Sequence, residues 1–525
     1  FGTGWTLGVQ GMTLTETNPL YTGYKLSITG SWFAPGYSLN ETKSHDITIT
    51  NGDGTSDRFE LTLTPNRQSL VPIQQVELGY RCATNPKVKL EIDGDKTAMV
   101  QDAELIPNNM SMYNNVKYRL TTEEGTIVYI NARDGVTKLQ DKYGHEIRVD
   151  RDGYHAADGT GITFTRDRQG RITRAEDSEG NRVTYEYDDA GNLKKVTDRA
   201  GREAIFTYDS HHNLVSITDP SGAAVARNEY DKNGRLAAII DASGNRTEYS
   251  YDPEGRSQVV TDRLGNSTVY VYDGNGNILQ KTDANGNTTK QTYDASGNML
   301  SRTDAMGNTT AYRYDGNGNI TSVTDAAGNE LKGTYNSRNL ITTMKSGDEG
   351  ILIDYDGAGN ISETTDLAGN RTTYDHDRDG NVTGIADSIG TVTTSRYDKD
   401  GNVVENTDNA GRRKTYTYDG NGNRLTQTEY TETENGTEER TTSYVYDAAG
   451  DLVQTVDPDG NTTAIERNEK GQITAATDAQ GRRTVYEYNS QGEVTRTVHA
   501  DGTEETFAYD AESRVTESVN RLGQK

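Results

Sequence analysis

The chain has 525 residues, with 54 Lys+Arg against 80 Asp+Glu and a formal net charge of −26. That excess of carboxylates repels phosphate backbones and anionic membrane surfaces, so no nucleic-acid partner is expected. The longest apolar run, around Ala237–Ile240, falls far short of the roughly 20 residues of a membrane helix, so no membrane span is expected either.

Residues 1–119 come first and differ in composition from the rest of the chain. They hold both tryptophans (Trp5 and Trp32), the single cysteine Cys82, and six of the nine prolines. Alternating runs such as Asp46-Ile47-Thr48-Ile49-Thr50 and Phe59-Glu60-Leu61-Thr62-Leu63 read as strands, with Asn51-Gly52-Asp53-Gly54 as the turn between them. No basic–apolar leader opens the chain at Phe1, so an export signal is expected to have been removed or to lie outside this stretch.

Residues 120–525 carry an internal repeat. Tyr-Asp pairs fall at Tyr187-Asp188, Tyr208-Asp209, Tyr230-Asp231, Tyr251-Asp252, Tyr272-Asp273, Tyr293-Asp294 and Tyr314-Asp315, in steps of 21 or 22 residues. The register continues through Tyr335-Asn336, Tyr355-Asp356, His376-Asp377, Tyr397-Asp398 and Tyr418-Asp419. After one step of 28 it resumes at Tyr446-Asp447, Arg467-Asn468, Tyr488-Asn489 and Tyr509-Asp510. Half a period away lies a second mark, Thr282-Asp283 before Gly286-Asn287 and Thr303-Asp304 before Gly307-Asn308. With degenerate copies upstream, about eighteen units are expected, and a period near twenty residues signals a solenoid-like array.

Each unit reads as a β-hairpin. In the unit from Asn308 to Asp325, Thr310, Tyr312 and Tyr314 alternate with Thr309, Ala311 and Arg313, the period-two pattern of a strand. Asp315-Gly316-Asn317-Gly318 suits a type I turn whose last Gly takes φ > 0. Ile320 and Val323 are three apart, which breaks the alternation of the return strand and calls for a bulge there.

Hairpin upon hairpin gives about 36 strands, a ribbon ~170 Å wide if flat. Twisted sheets of that width curl, so an all-β spiral, a hollow β-shell, is expected. Composition agrees: Leu, Ile, Val and Phe make only 87 of 525 residues, too few for a thick apolar core, while Tyr outnumbers Phe by 32 to 6. Tyrosines laddering between neighbouring hairpins, packing ring on ring with hydroxyls free to bond, would stabilise such a wall. A raw sheet end needs a dissimilar cover, so residues 1–119 read as a β-rich cap or plug, with an independent β-domain as the alternative.

The 28-residue step marks one insertion, residues 427–443, where Asn435-Gly436 sits between polar strands. Asn-Gly is a strong two-residue hairpin signal. A longer hairpin is expected here, either as a partner contact or as a solvated extension.

Repeated Y-D-x-x-G-N with T-D-x-x-G-N resembles the YD repeats of the bacterial Rhs family of polymorphic toxins. It is similar, too, to the BC component of insecticidal Tc toxins, to wall-associated YD-repeat proteins and to the animal teneurins. Phe1-Gly2-Thr3-Gly4-Trp5 also looks like the stretch that precedes the repeats in such proteins. The resemblance implies a hollow β-shell that, in Rhs and Tc proteins, encloses a C-terminal toxin and, in teneurins, serves adhesion. The family's self-cleavage segment has no counterpart here, and the chain stops within a repeat at Arg521–Lys525, so a fragment of a longer parent is expected.

A search for chemistry yields little. None of His45, His145, His155, His211, His212, His376 and His499 forms H-E-x-x-H, and His376 stands where a repeat Tyr is expected. His211-His212 falls on a turn. Asp273-Gly274-Asn275-Gly276-Asn277 and Asp398-Lys399-Asp400-Gly401-Asn402 look superficially like Ca²⁺ loops, but lack the glycine and glutamate places of an EF-hand. Cys82 has no companion motif. No catalytic residue, cofactor or metal site is expected; the functional residues are the structural Tyr-Asp pairs themselves. The expected function is therefore a non-catalytic shell, bacterial and secreted or at the cell surface, around a C-terminal toxin domain. The alternatives are an extracellular adhesin that binds a cell-surface glycan or protein, and an enzyme with an unrecognised site in residues 1–119.

Overall fold

A computed structural model describes residues 11–31, 34–83, 85–101, 104–108, 116–434 and 436–525. The Phe1–Trp5 stretch, Trp32 and Asn435 of the expected turn lie outside the described residues. Among the described residues the regular elements are 49 β-strands, with no α-helix. The chain forms two compact units: residues 1–178 with 314–319, and residues 179–313 with 320–525.

The first unit is built around oil. Six antiparallel strands lie in the order Thr13–Glu16, Ile47–Thr50, Ser56–Thr64, Gln75–Cys82, Thr97–Gln101 and Glu104–Pro107. Tyr24–Ser31, Ala34–Glu41 and Arg67–Ser69 make a second sheet of three. Alternation does what it should: Ile47 and Ile49 are buried, while Thr48 and Thr50, which alternate with them, stay half-buried. The expected turn closes as Gly54 N–H donates to Asn51 O at 3.0 Å and Asn51 N–H to Thr55 O at 2.8 Å. Phe59, Ile73, Val76, Leu78 and Leu105 fill the centre, joined by Leu90, Tyr118, Val128, Ile130 and Val136 from strands of the repeat sheet. The apolar core thus runs past residue 119. His45 is buried within this unit, stacked on Tyr24 at 4.6 Å and hydrogen-bonded to Glu41 Oε1 and Thr22 O, each at 2.6 Å.

The long sheet has 40 strands, all antiparallel and in chain order from Lys117–Thr121 to Val515–Val519, with Lys89–Ile92 as the remaining member. That strand comes from the stretch assigned by composition to the cap, and pairs with Lys117–Thr121. The fold is an all-β array of tandem hairpins.

Within the second unit most Tyr-Asp hairpins carry a bulge at a fixed place. Val271 pairs with Gln280 and Tyr272 with Ile278, so Leu279 is the extra residue. The same shift occurs at Tyr208, Tyr293, Tyr397, Tyr418 and Tyr509, and even where His376 or Arg467 replaces the tyrosine. This is the bulge that the three-residue spacing of Ile320 and Val323 requires, seen in the sister hairpins. Among the described residues, buried apolar side chains are scarce in this unit: Leu193, Ala238, Ile353 and Ala475. Something other than a core must hold it.

Candidate functional site

The two signature residues do different jobs. The aspartate builds the turn. In Asp273–Asn277, Asp273 Oδ1 accepts the Asn275 and Asn277 backbone N–H groups at 2.8 and 2.9 Å, and Oδ2 accepts Asn277 Nδ2 at 2.8 Å. Gly276, at φ +88, takes the left-handed place that a side chain resists. Asp188, Asp209, Asp294, Asp315, Asp356, Asp398 and Asp419 accept from their own asparagines in the same way. Asp231, Asp447 and Asp510 keep the backbone contact while Arg235, Asp451 and Arg514 replace the asparagine. The half-repeat turns at Asp283, Asp304 and Asp325 repeat the arrangement. The asparagine amides hold the Asp273, Asp283, Asp294 and Asp304 carboxyls below the usual carboxylate range. The loops that look like Ca²⁺ sites are therefore turns whose carboxylates are already engaged.

The tyrosine ties one hairpin to the one before it. Tyr208 OH donates to Leu193 O at 2.9 Å, and Leu193 is the residue paired with Tyr187 at the preceding bulge. Tyr230, Tyr335, Tyr355, Tyr397 and Tyr418 reach back likewise to Leu214, Ile320, Ile341, Val382 and Val403, at 2.7 to 2.9 Å. Tyr446 reaches across the longer step to Arg424 O, and Tyr488 and Tyr509 to Ile473 O and Val494 O. A bulge disrupts the strand ladder at that point, and the phenol supplies a donor to a carbonyl beside it. Successive repeat tyrosines stand two strands, about 9.6 Å, apart, too far for ring stacking at 4.5–7 Å. Hydroxyl-to-carbonyl bonds rather than ring contact make the link, which explains why the repeat uses Tyr and not Phe.

Tyr251-Asp252 is an instructive departure. Its hairpin runs without a register shift, Tyr251 against Gln258 and Asp252 against Ser257. Pro253 follows the aspartate, and Arg256 at φ +48, not Gly255, takes the left-handed place. With no bulge before it, Tyr272 OH bonds the Gln258 side chain at 2.9 Å instead of a backbone carbonyl. Tyr293 also turns to a side chain, Gln291, although its neighbour is bulged; nothing in the structure explains that choice.

Beyond the clasp, the second unit meets itself. Asn181 bonds Asn421 at 2.8 Å, Arg199 Nε donates to Ala449 O at 3.2 Å, and Ser243 meets Ser490 at 2.7 Å. Gln491 Nε2 donates to Asp241 Oδ2 at 2.8 Å, and Arg263 N–H to Glu512 Oε1 at 2.9 Å. Lys470 pairs with Asp219 at 2.8 Å and Arg202 with Asp451 at 3.9 Å. The hydrogen-bonded partners lie 240 to 250 residues apart. Half-repeat turns such as Asp198–Arg202 and Asp241–Asn245 thus dock on Tyr-Asp-type turns such as Asp447–Asp451 and Asn489–Glu493. The sheet comes back onto itself turn against turn, through polar hydrogen bonds and a few pairs of opposite charge.

The family model described as RHS Repeat matches residues 166–203, 187–224, 230–269, 257–289, 272–309, 293–330, 314–349, 397–437 and 467–504. The chain is an RHS/YD-repeat protein. No curated protein matches it. Two solved structures resemble this RHS/YD-repeat chain, each at 14% identity and a TM-score of 0.52. "Crystal Structure of TcdB2-TccC3-TEV" covers 92% of it, and "Crystal Structure of TcdB2-TccC3 without hypervariable C-terminal region" covers 93%. At that identity the likeness is one of fold. The chain spans 31% and 30% of the lengths of those two proteins. Repeat family and fold together give it a structural, wall-building role.

The remaining residues singled out from the RHS/YD-repeat sequence fall into place as parts of the wall. His212, at φ +66, occupies the glycine place of the Asp209 turn and bonds Asn192 Oδ1 at 2.6 Å through Nδ1. His376 keeps the tyrosine's position opposite Val382 but has no phenol to reach back with. Cys82 ends the strand Gln75–Cys82 in the first unit, half-buried, with Asn85 N–H at 3.3 Å from its sulfur. Among the described residues no His, Cys, Asp and Glu side chains gather into a metal-sized group, and no helix is long and apolar enough to cross a membrane. The insertion forms the long hairpin Arg424–Thr433 and Gly436–Tyr446, and the Arg413 guanidinium lies over the Tyr430 ring at its base, 3.7 Å away. The docking residues were illegible in the sequence: Arg199, Lys470 and Glu512 occupy inner turn positions that vary freely, and their partners stand half the chain away.

Proposed function

We propose that this chain forms part of the wall of a bacterial container, secreted or held at the cell surface, that encloses a C-terminal toxin domain of its parent protein until delivery. The wall acts without catalysis of its own. The observation that carries this reading is the turn-against-turn return of the sheet in the second unit. A ribbon that closes on itself through polar pairs, with almost no buried apolar residues, separates two spaces rather than building a solid body. One solved protein of the same fold is described as lacking a hypervariable C-terminal region, which fits a constant wall with exchangeable contents.

The test uses the parent protein. Its polypeptide beyond the repeats is expected to resist proteinase K while the wall is intact. Opening the docked edges with Arg199→Glu, Asp219→Lys and Arg263→Glu together should make that polypeptide cleavable while the repeats stay folded by circular dichroism. Equal protease sensitivity with and without the three changes sinks the container reading, as does unchanged host-cell toxicity after removal of the downstream domain.

A further inference from the structure

One place in the array breaks the array's own rule. The residue paired at a bulge with the repeat tyrosine, or with its replacement, shares that side chain's face of the sheet. In thirteen sister bulges of the second unit, from Leu193 to Val515, it is Leu, Ile, Val or Met. Opposite Tyr418 it is Arg424. A charged group in an aliphatic place gives up hydration, and departures of that kind concentrate where a chain binds something.

Arg424 is half-buried on the middle strand of three, and rings from both neighbouring strands flank it. Its guanidinium carbon lies 5.7 Å from the centroid of the Tyr416 ring and 4.7 Å from that of Tyr444, and Nη2 donates to Tyr444 OH at 3.3 Å. Two aromatic faces hold a planar cation in place. They leave its fork of five N–H donors with one long side-chain bond. Arginines elsewhere in the strands find carboxylates, Arg483 with Glu466 at 2.8 Å and Arg496 with Glu487 at 2.6 Å. Among the described residues Arg424 meets none. Glu429, on its own strand, is taken by Lys414 at 2.6 Å and Gln427 Nε2 at 3.2 Å, and Asp419 by Asn423 Nδ2 at 2.9 Å.

We infer that Arg424, slotted between Tyr416 and Tyr444, is a receptor for a carboxylate presented by an acidic peptide. A carboxylate lying in the plane of the guanidinium takes two parallel N–H bonds, the geometry in which Arg binds most strongly. The ring faces turned toward the slot are covered by the guanidinium itself, which leaves no open platform there for a sugar ring. What fits is a carboxylate on a slender stem, as in a glutamate side chain. The site stands whether or not the wall encloses a toxin.

The test titrates the full chain, carrying nitrogen-labelled arginine, with a blocked peptide of alternating Ser and Glu while the Nε–H resonances are followed by NMR. The resonance that disappears in Arg424→Leu should shift saturably with this peptide and stay put with its Ser–Gln counterpart. Arg424→Lys, which keeps the charge and loses the fork, should bind about tenfold more weakly. Arg424→Leu restores the residue type of the sister bulges, so it should melt no lower than the parent chain while losing the binding. Equal shifts with the Gln peptide overturn the proposal, as does glucuronate binding more tightly than the Glu peptide. So does a lower melting temperature of Arg424→Leu without peptide, because the arginine is then a packing element of the hairpin.

Discussion

This chain solves one problem in two ways. Among the described residues the first unit buries two dozen apolar side chains, from Met12 to Ile172, and the second unit only four. The first unit is a small β protein of familiar physics, in which area removed from water offsets the entropy of folding. The second does without a core, and what replaces it is periodic. One aspartate per turn gathers two backbone N–H groups, and one phenol per hairpin gathers a carbonyl beside a bulge. Each contribution is small, but each recurs at nearly every step, so stability accumulates along the array as a sum of nearest-neighbour terms. The contrast teaches that a low apolar content does not mean disorder when polar groups are placed at a strict period.

The sharpest way to separate the two units is to remove oil from one and hydroxyls from the other. Phe59→Ala, at a fully buried position, should cost the first unit about 3–5 kcal/mol and unfold it while exchange in the second is unaltered. The triple change Tyr397→Phe, Tyr418→Phe and Tyr509→Phe should cost the second unit about 3 kcal/mol, near 1 kcal/mol for each lost hydroxyl bond, with exchange rising first at the bulges before each ring. Tyr251→Phe is the internal control, since Tyr251 shows no bond of this kind, and should change nothing measurable. If it costs as much as Tyr418→Phe, the clasp is not what holds the hairpins.

Acid should discriminate the units next. The turn aspartates Asp273, Asp283, Asp294 and Asp304 titrate lower folded than unfolded, chiefly because asparagine side chains bond their ionised form. Asp501, held by Thr503 and then Arg521, is pulled down to about 2. Their stabilisation is complete above an ordinary aspartate value near 4 and is lost as pH falls through the lowered folded values. The second unit should therefore loosen between about pH 4 and pH 2 while the apolar core of the first persists, as followed by exchange at each pH. The smallest expected effect is a gain. Ser513 occupies a left-handed place at φ +64 that glycine fills in most sister turns. Ser513→Gly should stabilise the last hairpin by about 0.5 kcal/mol, the relief of strain being partly offset by the freer unfolded chain.

Repetition made much of this legible. Eighteen approximate copies of Tyr-Asp and Thr-Asp in one register determined strand, turn and bulge, because a hairpin is a local structure and its signals lie within a dozen residues of one another. The return-strand bulge could be inferred from the spacing of Ile320 and Val323 alone. The phenol's partner could not, since the same letters allow ring stacking, and only the distance between alternate strands excludes it. The oil of the first unit was half visible: alternation marked Ile47 and Phe59, but not that Val128 and Ile130, within the repeat register, would share their core. Least visible was the docking of one row of turns on another. Charge pairs such as Lys470 with Asp219 join positions with no local relation, and which two meet is decided by how tightly a twisted sheet coils, a property of all its strands at once.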